Sequence, residues 1–248
     1  MQRDIFIDIN CDVGEGLDNE ATLMPLISSC NIACGAHAGD KETIIRIAKL
    51  AKKNAVKVGA HPSYPDRKNF GRISMDLPKA DFIASIQQQV NLFSALLNIE
   101  NIKLHHIKAH GALYNDMGHN HILAKSFLKA IANYKDEILL YAPYGSALAI
   151  EGQKQKFSIV FEAFADRNYD EDGNLVSRKD VNAIISNPDK VFTHMLRMVK
   201  EQYVLTSKGF RIPIKAETFC IHSDTPSALE ILRYLTAQLP KMKINIKK

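Results

Sequence analysis

The feature that most constrains this chain is a regular alternation of short apolar segments, polar loops and amphipathic helical segments. Seven segments have the length and composition of buried strands: residues 4–10, 27–34, 56–61, 102–109, 138–142, 157–163 and 214–221. Strands that alternate with helices usually pair in parallel, so the pattern predicts an α/β fold. We expect one domain over residues 1–248 that forms a closed or nearly closed βα barrel. An open doubly wound sheet is the alternative, although no G-x-G-x-x-G motif follows the first strand.

Capping residues and prolines predict where three of the helices begin. Asp40 can accept a hydrogen bond from the first turn of the helix that contains the apolar stripe within residues 44–51. Asn187-Pro188 and Thr225-Pro226 each place a capping side chain directly before a proline. Proline is favoured at the first position of a helix because its fixed φ suits the helix and its missing N–H would have no partner there. Both pairs therefore predict helix starts.

The composition narrows the class of protein. Of the 248 residues, 46% are hydrophobic, which is enough for a sizeable core. The four cysteines are too few for a disulfide scaffold and lie mostly in apolar segments, so we expect reduced thiols and a cytoplasmic protein. The N-terminus lacks the pattern of a signal peptide, and no apolar run is long enough to span a membrane. The net charge of +5 is scattered without clustered arginines, so nucleic acid is not an expected partner.

Polar residues share one face of several predicted strands, although strands of a parallel sheet are usually apolar on both faces. The shared faces carry Asp8, Asn10 and Asp12 in the first strand and His106, Lys108 and His110 in the fourth. Further polar residues at or just beyond the carboxyl ends of strands are His37, His61, Glu162, Asp166, Arg167 and His222. Barrel enzymes place their active sites at this end, so the pattern predicts an active site there. The histidines at 119, 121 and 194 fall in helical segments and are expected to lie outside it.

These residue types can carry acid–base or metal chemistry. Asp12 can act as a general base or a metal ligand, and the imidazoles can transfer protons or bind a divalent ion. Lys108 could stabilise negative charge that develops on a carbonyl or phosphoryl oxygen. No G-x-S-x-G motif is present, and no cysteine has a recognisable catalytic context. The sequence therefore favours attack by water, or a route through an acyl phosphate, over a covalent enzyme intermediate.

Two motifs resemble metal sites but do not complete them. Cys30-x3-Cys34-x2-His37 has the spacing of half a zinc site, yet no second Cys/His pair follows, so the cysteines are expected to be packing residues. Residues 168–179 begin like a calcium loop, but Lys179 stands where a bidentate glutamate is needed. The glycine-rich segment 12–16 lacks the lysine of a phosphate-binding loop and could only offer backbone N–H groups to an anion.

Six blocks of the sequence resemble the LamB/YcsF family in content and order. They are "DINCDVGEG", "SCNIACGAHAGD", "GAHPSYPDRKNFGR", "HHIKAHGALYN", "FEAFADRNYDEDGNLVSR" and "CIHSD". The resemblance covers nearly the whole chain, and its members are A subunits of bacterial 5-oxoprolinase. It implies a distorted seven-stranded barrel of the glycoside hydrolase/deacetylase type. It also implies ATP-dependent opening of 5-oxoproline to L-glutamate, with two partner subunits related to allophanate hydrolase. The chain departs from the family pattern at Ala109 and Ser223, where proline and glycine are usual.

Similarity to the deacetylase barrels implies a possible divalent metal. Asn10-Cys11-Asp12 corresponds to their Asn-x-Asp segment, and Asp12, His61 and His110 are the matching ligands. The second histidine could equally be His37 or His106. The H-x3-H motif on a loop or helix that many polysaccharide deacetylases contain is absent, because the spacing of His106 and His110 falls on a predicted strand.

The activity that the resemblance implies suggests roles for these residues. ATP would phosphorylate the amide oxygen of a stable lactam, and Asp12 with His61 or His110 would activate water or orient the ring. Arg72 and Arg167 could bind a carboxylate or phosphate, or else brace loops through Asp66 and Asp166. The other candidates for substrate binding are Asn10, His37, His106, Glu162 and His222.

The sequence leaves other functions open. One alternative is a metal-dependent amidohydrolase or deacetylase that acts alone, and another is a subunit that binds the lactam without catalysis. The long acidic loop at residues 164–180 is a candidate lid.

Overall fold

Seven parallel strands close into a barrel in the computed structural model, which describes residues 4–248. The sheet runs from β1 through β6 to β9, and β9 pairs with both β6 and β1. The barrel strands are β1 (Ile5–Val13), β2 (Ser29–Ala33), β3 (Lys57–His61), β4 (Leu104–Ile107), β5 (Leu139–Pro143), β6 (Ser158–Phe164) and β9 (Thr218–Cys220). Each of the seven predicted segments overlaps one of these strands. The pairing of β9 with β1 closes the sheet, which confirms the barrel and excludes the open sheet.

Three further strands lie outside the closed barrel. β10 (Ile244–Ile246) pairs in parallel with the first residues of β1, below the point where β1 meets β9. β7 (Tyr203–Leu205) and β8 (Arg211–Pro213) form an antiparallel hairpin before the last barrel strand. No pattern in the sequence predicted this hairpin.

The helices follow the strands and cover the outside of the barrel. They are α1 (Glu20–Leu23), α2 (Lys41–Lys53), α3 (Lys79–Ile99), α4 (Gly111–Asp116), α5 (His121–Ala130), α6 (Ala147–Lys154), α7 (Pro188–Leu196) and α8 (Ala228–Gln238), and a π-helical turn at Arg197–Glu201 extends α7. Short 3-10 turns lie at Met24–Leu26, Ala132–Tyr134 and Leu239–Met242. Among residues 4–248, no helix combines the length and apolar character needed to cross a membrane.

Two of the three predicted helix starts are confirmed. Asp40 accepts a hydrogen bond from the backbone N–H of Thr43 at the start of α2, and Asn187 caps α7 through the N–H of Lys190. The prediction from Thr225-Pro226 is wrong, because α8 begins at Ala228. The Thr225 hydroxyl donates to Asp166 instead of capping a helix.

The interior of the barrel is polar and fully hydrogen-bonded in its lower layers. Ser29 and Thr218 donate their hydroxyls to Asp8, and Asn31 donates to both Asn10 and Asp12. All six side chains are buried. Buried polar groups are stable when each finds a partner, so the inward polar face predicted for β1 is a connected network and not a set of isolated sites.

Gly59 makes room for the imidazole of His106 inside the barrel. A Cβ atom at position 59 would lie 2.1 Å from Nε2 of that ring. His106 is fully buried, stacks on Tyr141 with ring centroids 4.1 Å apart, and its Nε2 lies 2.7 Å from Asn31 Oδ1. His106 therefore lies below the rim, so its predicted role in substrate binding would have to act through this network.

Replacing Gly59 with alanine is expected to destabilise the protein by about 1–3 kcal/mol, because overpacking forces the ring or the strand to move. Urea unfolding of the single variants and of the double variant Gly59→Ala/His106→Ala measures the effect. Removal of the imidazole should cancel most of the cost of the new methyl group, so the two effects should not add. Additive losses would show that the ring is not the obstacle.

Candidate active site

Lys108 lies at the centre of a buried ion cluster near the carboxyl ends of the strands. Its Nζ is 3.0 Å from Asp12 Oδ1 and 2.9 Å from Glu162 Oε1, with Asn10 Oδ1 at 3.3 Å and Cys220 Sγ at 3.2 Å. Burial alone would lower the pKa of Lys108, but the Asp12 and Glu162 charges hold it well above the ordinary value. The ammonium group has three N–H donors and four acceptors around it. Direct contact with a substrate oxygen, as predicted for Lys108, therefore requires the release of one of these contacts.

Three histidines and one glutamate meet beside this ion cluster. Glu15 Oε1 lies 3.0 Å from His37 Nε2, 3.2 Å from His110 Nδ1 and 3.9 Å from His61 Nε2. The rings of His37 and His110 stack with centroids 3.7 Å apart, and His61 meets both edge-on. The Phe70 ring packs edge-on against His37 and His110. We name Glu15, His37, His61 and His110 the histidine cluster.

The outward nitrogen of each ring in the histidine cluster binds an acceptor. His61 Nδ1 lies 2.8 Å from the carbonyl oxygen of Lys108, and His110 Nε2 lies 2.9 Å from that of Phe70. His37 Nδ1 lies 2.9 Å from Ser63 Oγ, whose own hydrogen is donated to the carbonyl oxygen of Tyr64. Each outward nitrogen is therefore assigned as the N–H donor.

The assigned tautomers leave only lone pairs on the inward nitrogens. His61 Nε2 and His110 Nδ1 lie 3.0 Å apart, and both face the carboxylate of Glu15. Burial lowers the pKa of His37 to about 4, so this ring is neutral near pH 7. Lone pairs that approach one another and a carboxylate need a positive charge between them. That charge can be a proton on one imidazole or a divalent cation.

The surroundings of the three rings favour a proton on one of them. Burial alone would lower the pKa of His61, but the charge of Asp12, whose Oδ2 lies 3.5 Å from Nε2, outweighs it and raises the pKa. Burial lowers the pKa of His110 despite the opposing effect of Glu15. Burial alone would raise the pKa of Glu15, but its contacts with His110 and His37 outweigh burial and hold the pKa low, which requires a proton on an inward nitrogen of the cluster. Without a metal, His61 is therefore the ring whose surroundings favour a proton, and His37 and His110 are the rings whose burial disfavours one.

The donor set also fits a divalent metal, with a different carboxylate from the one predicted. Glu15, His61 and His110 offer ligand atoms that lie within 4.8 Å of one another. The predicted set contained Asp12 in place of Glu15. The Asp12 carboxylate instead belongs to a second such group, with Cys220 and His222. Metal-binding histidines typically donate the N–H of the other ring nitrogen to a backbone carbonyl, as His61 and His110 do here.

Glu15 is the residue that sequence reasoning missed. It follows the end of β1 in the segment "DVGEG". The alternation of side chains along the strand, which identified Asp12, ends before Glu15, since Gly14 and Gly16 take positive φ values of 76° and 87°. Two glycines around one acidic residue next to a strand end are a signal that could have suggested a carboxylate placed by a turn.

Neither predicted arginine is free in this structure. Arg72 pairs with Asp224 at 2.9 Å, so the prediction that it pairs with Asp66 is wrong. Arg167 is buried and donates to the carbonyl oxygens of Ala183 and Val176, and not to Asp166. It therefore braces the loop after β6 from inside. Binding of a carboxylate by either side chain stays a prediction.

Asp166 anchors the other side of the rim. Its carboxylate accepts the backbone N–H of His222 at 2.9 Å and the Thr225 hydroxyl at 2.6 Å, and it lies 3.0 Å from His222 Nδ1. Burial alone would raise the pKa of Asp166, but the charge of His222 and these hydrogen bonds outweigh it and lower the pKa. His222 is thus held on the rim, and its ring stacks on Phe164.

A lowered carboxyl pKa adds stability that is present above the unfolded pKa and is lost as the pH falls through the folded pKa. Asp166→Asn is therefore expected to cost about 2 kcal/mol near neutral pH and much less in acid, where the wild type has lost the same contribution. Urea unfolding near neutrality and in acid tests this, with the exposed Asp136→Asn as control. A cost for Asp166→Asn that does not change with pH would contradict the expectation.

The histidines predicted to lie outside the site are not part of the histidine cluster. His121, the first residue of α5, contacts Glu151 of α6, and His119 contacts Asn174. His194 is buried within α7. None of the three belongs to the histidine cluster, although His119 and His121 line a neighbouring cavity.

A cavity of about 1430 Å³ extends from the ion cluster toward solvent. Its lining includes Tyr114, Glu162, Phe164 and Tyr169. The histidine cluster is absent from the lining. The contacts from Glu162 to Lys108 and onward to Asp12 link the cavity wall to the histidine cluster. Small-molecule pockets usually measure about 300–1,000 Å³, so this cavity has room for more than one small reactant.

Comparisons with known proteins agree with the fold. A family model described as LamB/YcsF family matches residues 7–248. The A subunit of 5-oxoprolinase from Staphylococcus saprophyticus is 39% identical over 246 residues, which are 97% of each chain. The crystal structure of a lactam utilization protein from Thermus thermophilus has a TM-score of 0.90 and 33% identity, covering 98% of this chain and 99% of that one. A GH20 β-N-acetylhexosaminidase from Streptomyces coelicolor A3(2), at TM-score 0.50 and 11% identity over 97% of this chain and 64% of that one, shares the fold alone. The chain belongs to the LamB/YcsF family.

Proposed function

We propose that this chain is the A subunit of a 5-oxoprolinase and takes part in the ATP-dependent opening of 5-oxo-L-proline to L-glutamate. The names of the Staphylococcus and Thermus relatives support the lactam as substrate. The relative's designation as one subunit of an enzyme supports further chains in the complex. We propose two partner subunits related to allophanate hydrolase. The four unpaired, buried cysteines fit a cytoplasmic location.

The observation that carries the proposal is the convergence of three imidazoles on Glu15 beside the Asp12–Lys108 pair. Opening a lactam removes a proton from water and delivers a proton to the ring nitrogen. A neutral imidazole can accept the first proton, and a nearby imidazolium can donate the second. The opposite directions of the pKa shifts of His110 and His61 support a division of these two roles between the two rings.

ATP coupling follows from the stability of a five-membered lactam. Transfer of the γ-phosphoryl group to the amide oxygen releases ADP and makes the ring carbon electrophilic. Water then attacks that carbon, and the C–N bond breaks as the ring nitrogen takes a proton, which leaves an acyl phosphate. A second water attacks the acyl carbon, and phosphate leaves with the former amide oxygen. Lys108 lies behind Glu162 at the wall of the cavity, and its ammonium group would lower the cost of negative charge on the oxygen once it releases one of its present contacts.

If a divalent metal belongs to the enzyme, Glu15, His61 and His110 would hold it. Such an ion would supply Lewis-acid stabilisation of negative charge on oxygen. The carbonyl groups of Lys108 and Phe70 would keep the two rings oriented, as they do in the present structure.

The same ligand set favours a second candidate function, a metal-dependent amidohydrolase that works without ATP or partners. Glutamate release from 5-oxo-L-proline distinguishes the two. The proposed function predicts release only when the chain, its partner subunits and ATP are all present. Release by the purified chain with a divalent metal alone would establish the second function, and no release from the complete mixture would contradict the first.

A further inference from the structure

Two arginines from different loops share one carboxylate at the rim of the barrel. Arg72 lies in the loop after β3, Arg178 in the loop after β6 and Asp224 in the loop after β9. Arg178 binds Asp224 through both ends of its fork, with Nη1 2.8 Å from Oδ2 and Nη2 3.2 Å from Oδ1. Nη2 of Arg72 lies 2.9 Å from the same Oδ2. We name these three residues the arginine cluster.

The arginine cluster has more positive than negative charge. Burial alone would raise the pKa of Asp224, but the charge of Arg178 outweighs it and lowers the pKa, so one carboxylate faces two guanidinium groups. Among residues 4–248, neither arginine side chain donates a hydrogen bond to any other group, and most of their N–H donors therefore remain available. The side chains of Arg72 and Arg178 are 42% and 25% exposed, so an anion from solvent can reach them.

The arginine cluster lies next to the histidine cluster. The guanidinium carbon of Arg72 is 4.8 Å from the centroid of the Phe70 ring, and that ring packs edge-on against two imidazoles of the histidine cluster. On the other side, Asp224 follows His222 by two residues, and a ring nitrogen of His222 lies within 4.8 Å of an Asp12 carboxylate oxygen. An anion bound by the arginine cluster would therefore lie close to the groups proposed to transfer protons.

The cavity beside the ion cluster offers an anion no other cation. Its lining contains no lysine or arginine among residues 4–248. The two buried cations of the site, Lys108 and Arg167, are already held by carboxylates and by backbone carbonyls. Two loops of the arginine cluster also line the cavity, through residues 74–77 and 172–175. The arginine cluster therefore supplies positive charge at the edge of the cavity, where an anionic reactant needs it.

We propose that Arg178 and Arg72 together bind the carboxylate of the lactam substrate and so select lactams that carry one. A planar guanidinium group matches the two oxygens of a carboxylate. The carboxylate of 5-oxo-L-proline is on the carbon next to the ring nitrogen, so binding it at the rim leaves the amide directed toward the histidine cluster. Asp224 holds the two side chains in place before the substrate arrives. This inference rests on the proposed function and adds the residues that recognise the acid group.

A substrate without the charge tests the proposal. 5-Oxo-L-prolinamide keeps the ring and has a neutral carboxamide in place of the carboxylate. Its ring opening and its competitive inhibition are compared with the turnover of 5-oxo-L-proline in the complete mixture of chain, partner subunits and ATP. The wild type should favour the acid at least about tenfold in kcat/KM. Arg178→Met should lower kcat/KM for the acid about tenfold, mainly through a higher KM, and should remove most of the preference over the carboxamide.

Matched variants separate recognition of the carboxylate from damage to the loop. Arg178→Lys keeps the charge and should retain part of the preference for the acid. The exposed Arg233→Met on α8 should change the turnover of neither substrate.

Three outcomes would overturn the proposal. Equal losses for acid and carboxamide in Arg178→Met would do so, because a brace for the loop or a contact with a phosphoryl group affects both substrates alike. An unchanged preference in that variant, or no preference in the wild type, would overturn it as well. Absent glutamate release by the wild type would instead contradict the proposed function, on which this inference depends.

Discussion

Lys108→Met is expected to lower the free energy of unfolding by about 3–5 kcal/mol, the largest effect that we predict on stability. The lysine is 2% exposed and lies between two buried carboxylates, those of Asp12 and Glu162. Methionine has a similar length but no charge, so the Glu162 carboxylate would remain buried without its cation, and Asp12 would keep only the weaker base His61 beside it. The charge of Lys108 depends on the carboxylates in turn, since they raise its pKa against the effect of burial.

Urea unfolding near neutral pH, followed by circular dichroism, measures the loss in Lys108→Met. The exposed Lys53→Met on α2 is the matched control and should change stability by less than about 0.5 kcal/mol. Adding Glu162→Gln to Lys108→Met should recover part of the loss, because one unpaired charge disappears. A cost below about 1 kcal/mol for Lys108→Met would mean that the three groups are not a charged buried cluster.

Glu15→Gln is expected to reduce kcat for glutamate release at least about 100-fold. The carboxylate of Glu15 lies within 4 Å of His37, His61 and His110 together. An amide has no charge, and its NH₂ group would occupy a lone pair that a transferred proton or a cation needs. We therefore expect the variant to lose the proton-transfer function and any bound divalent metal.

The assay uses the complete mixture of chain, partner subunits, ATP and lactam, with the metal content of the purified variant measured in parallel. Asp18→Asn, an acid-to-amide change on the exposed part of the same loop, is the control and should keep normal kcat. A well-folded Glu15→Gln protein with kcat within about threefold of the wild type would remove Glu15 and its cluster from the catalytic site.

The strands and the inner polar face could be predicted because they depend on local patterns. Period-two alternation placed Asp12 and Lys108 on inward faces, and these side chains meet in the barrel. The predicted strand ends placed His37 and His61 at the same end of the barrel, and their rings lie 5.7 Å apart. Strand ends converge in any closed parallel barrel, so this part of the site follows from the fold class.

The rest of the site depends on contacts that no local pattern determines. Glu15 reaches the histidines because two glycines turn the chain after β1, which ends the alternation used to assign faces. Arg72 pairs with Asp224, a residue far away in sequence, in place of nearby Asp66. The depth of His106 depends on the missing side chain at Gly59 of the adjacent strand. Tertiary packing decides each of these three outcomes.

The most direct test of the proposed function follows the carbonyl oxygen of the substrate. 5-Oxo-L-proline labelled at that atom with a heavy oxygen isotope is incubated with ATP, the partner subunits and this chain, and inorganic phosphate and glutamate are analysed by mass spectrometry. We predict that the label appears in phosphate, one atom for each glutamate formed, and only when this chain is present. Glutamate that retains the label with unlabelled phosphate, or equal transfer of label without this chain, would contradict the account.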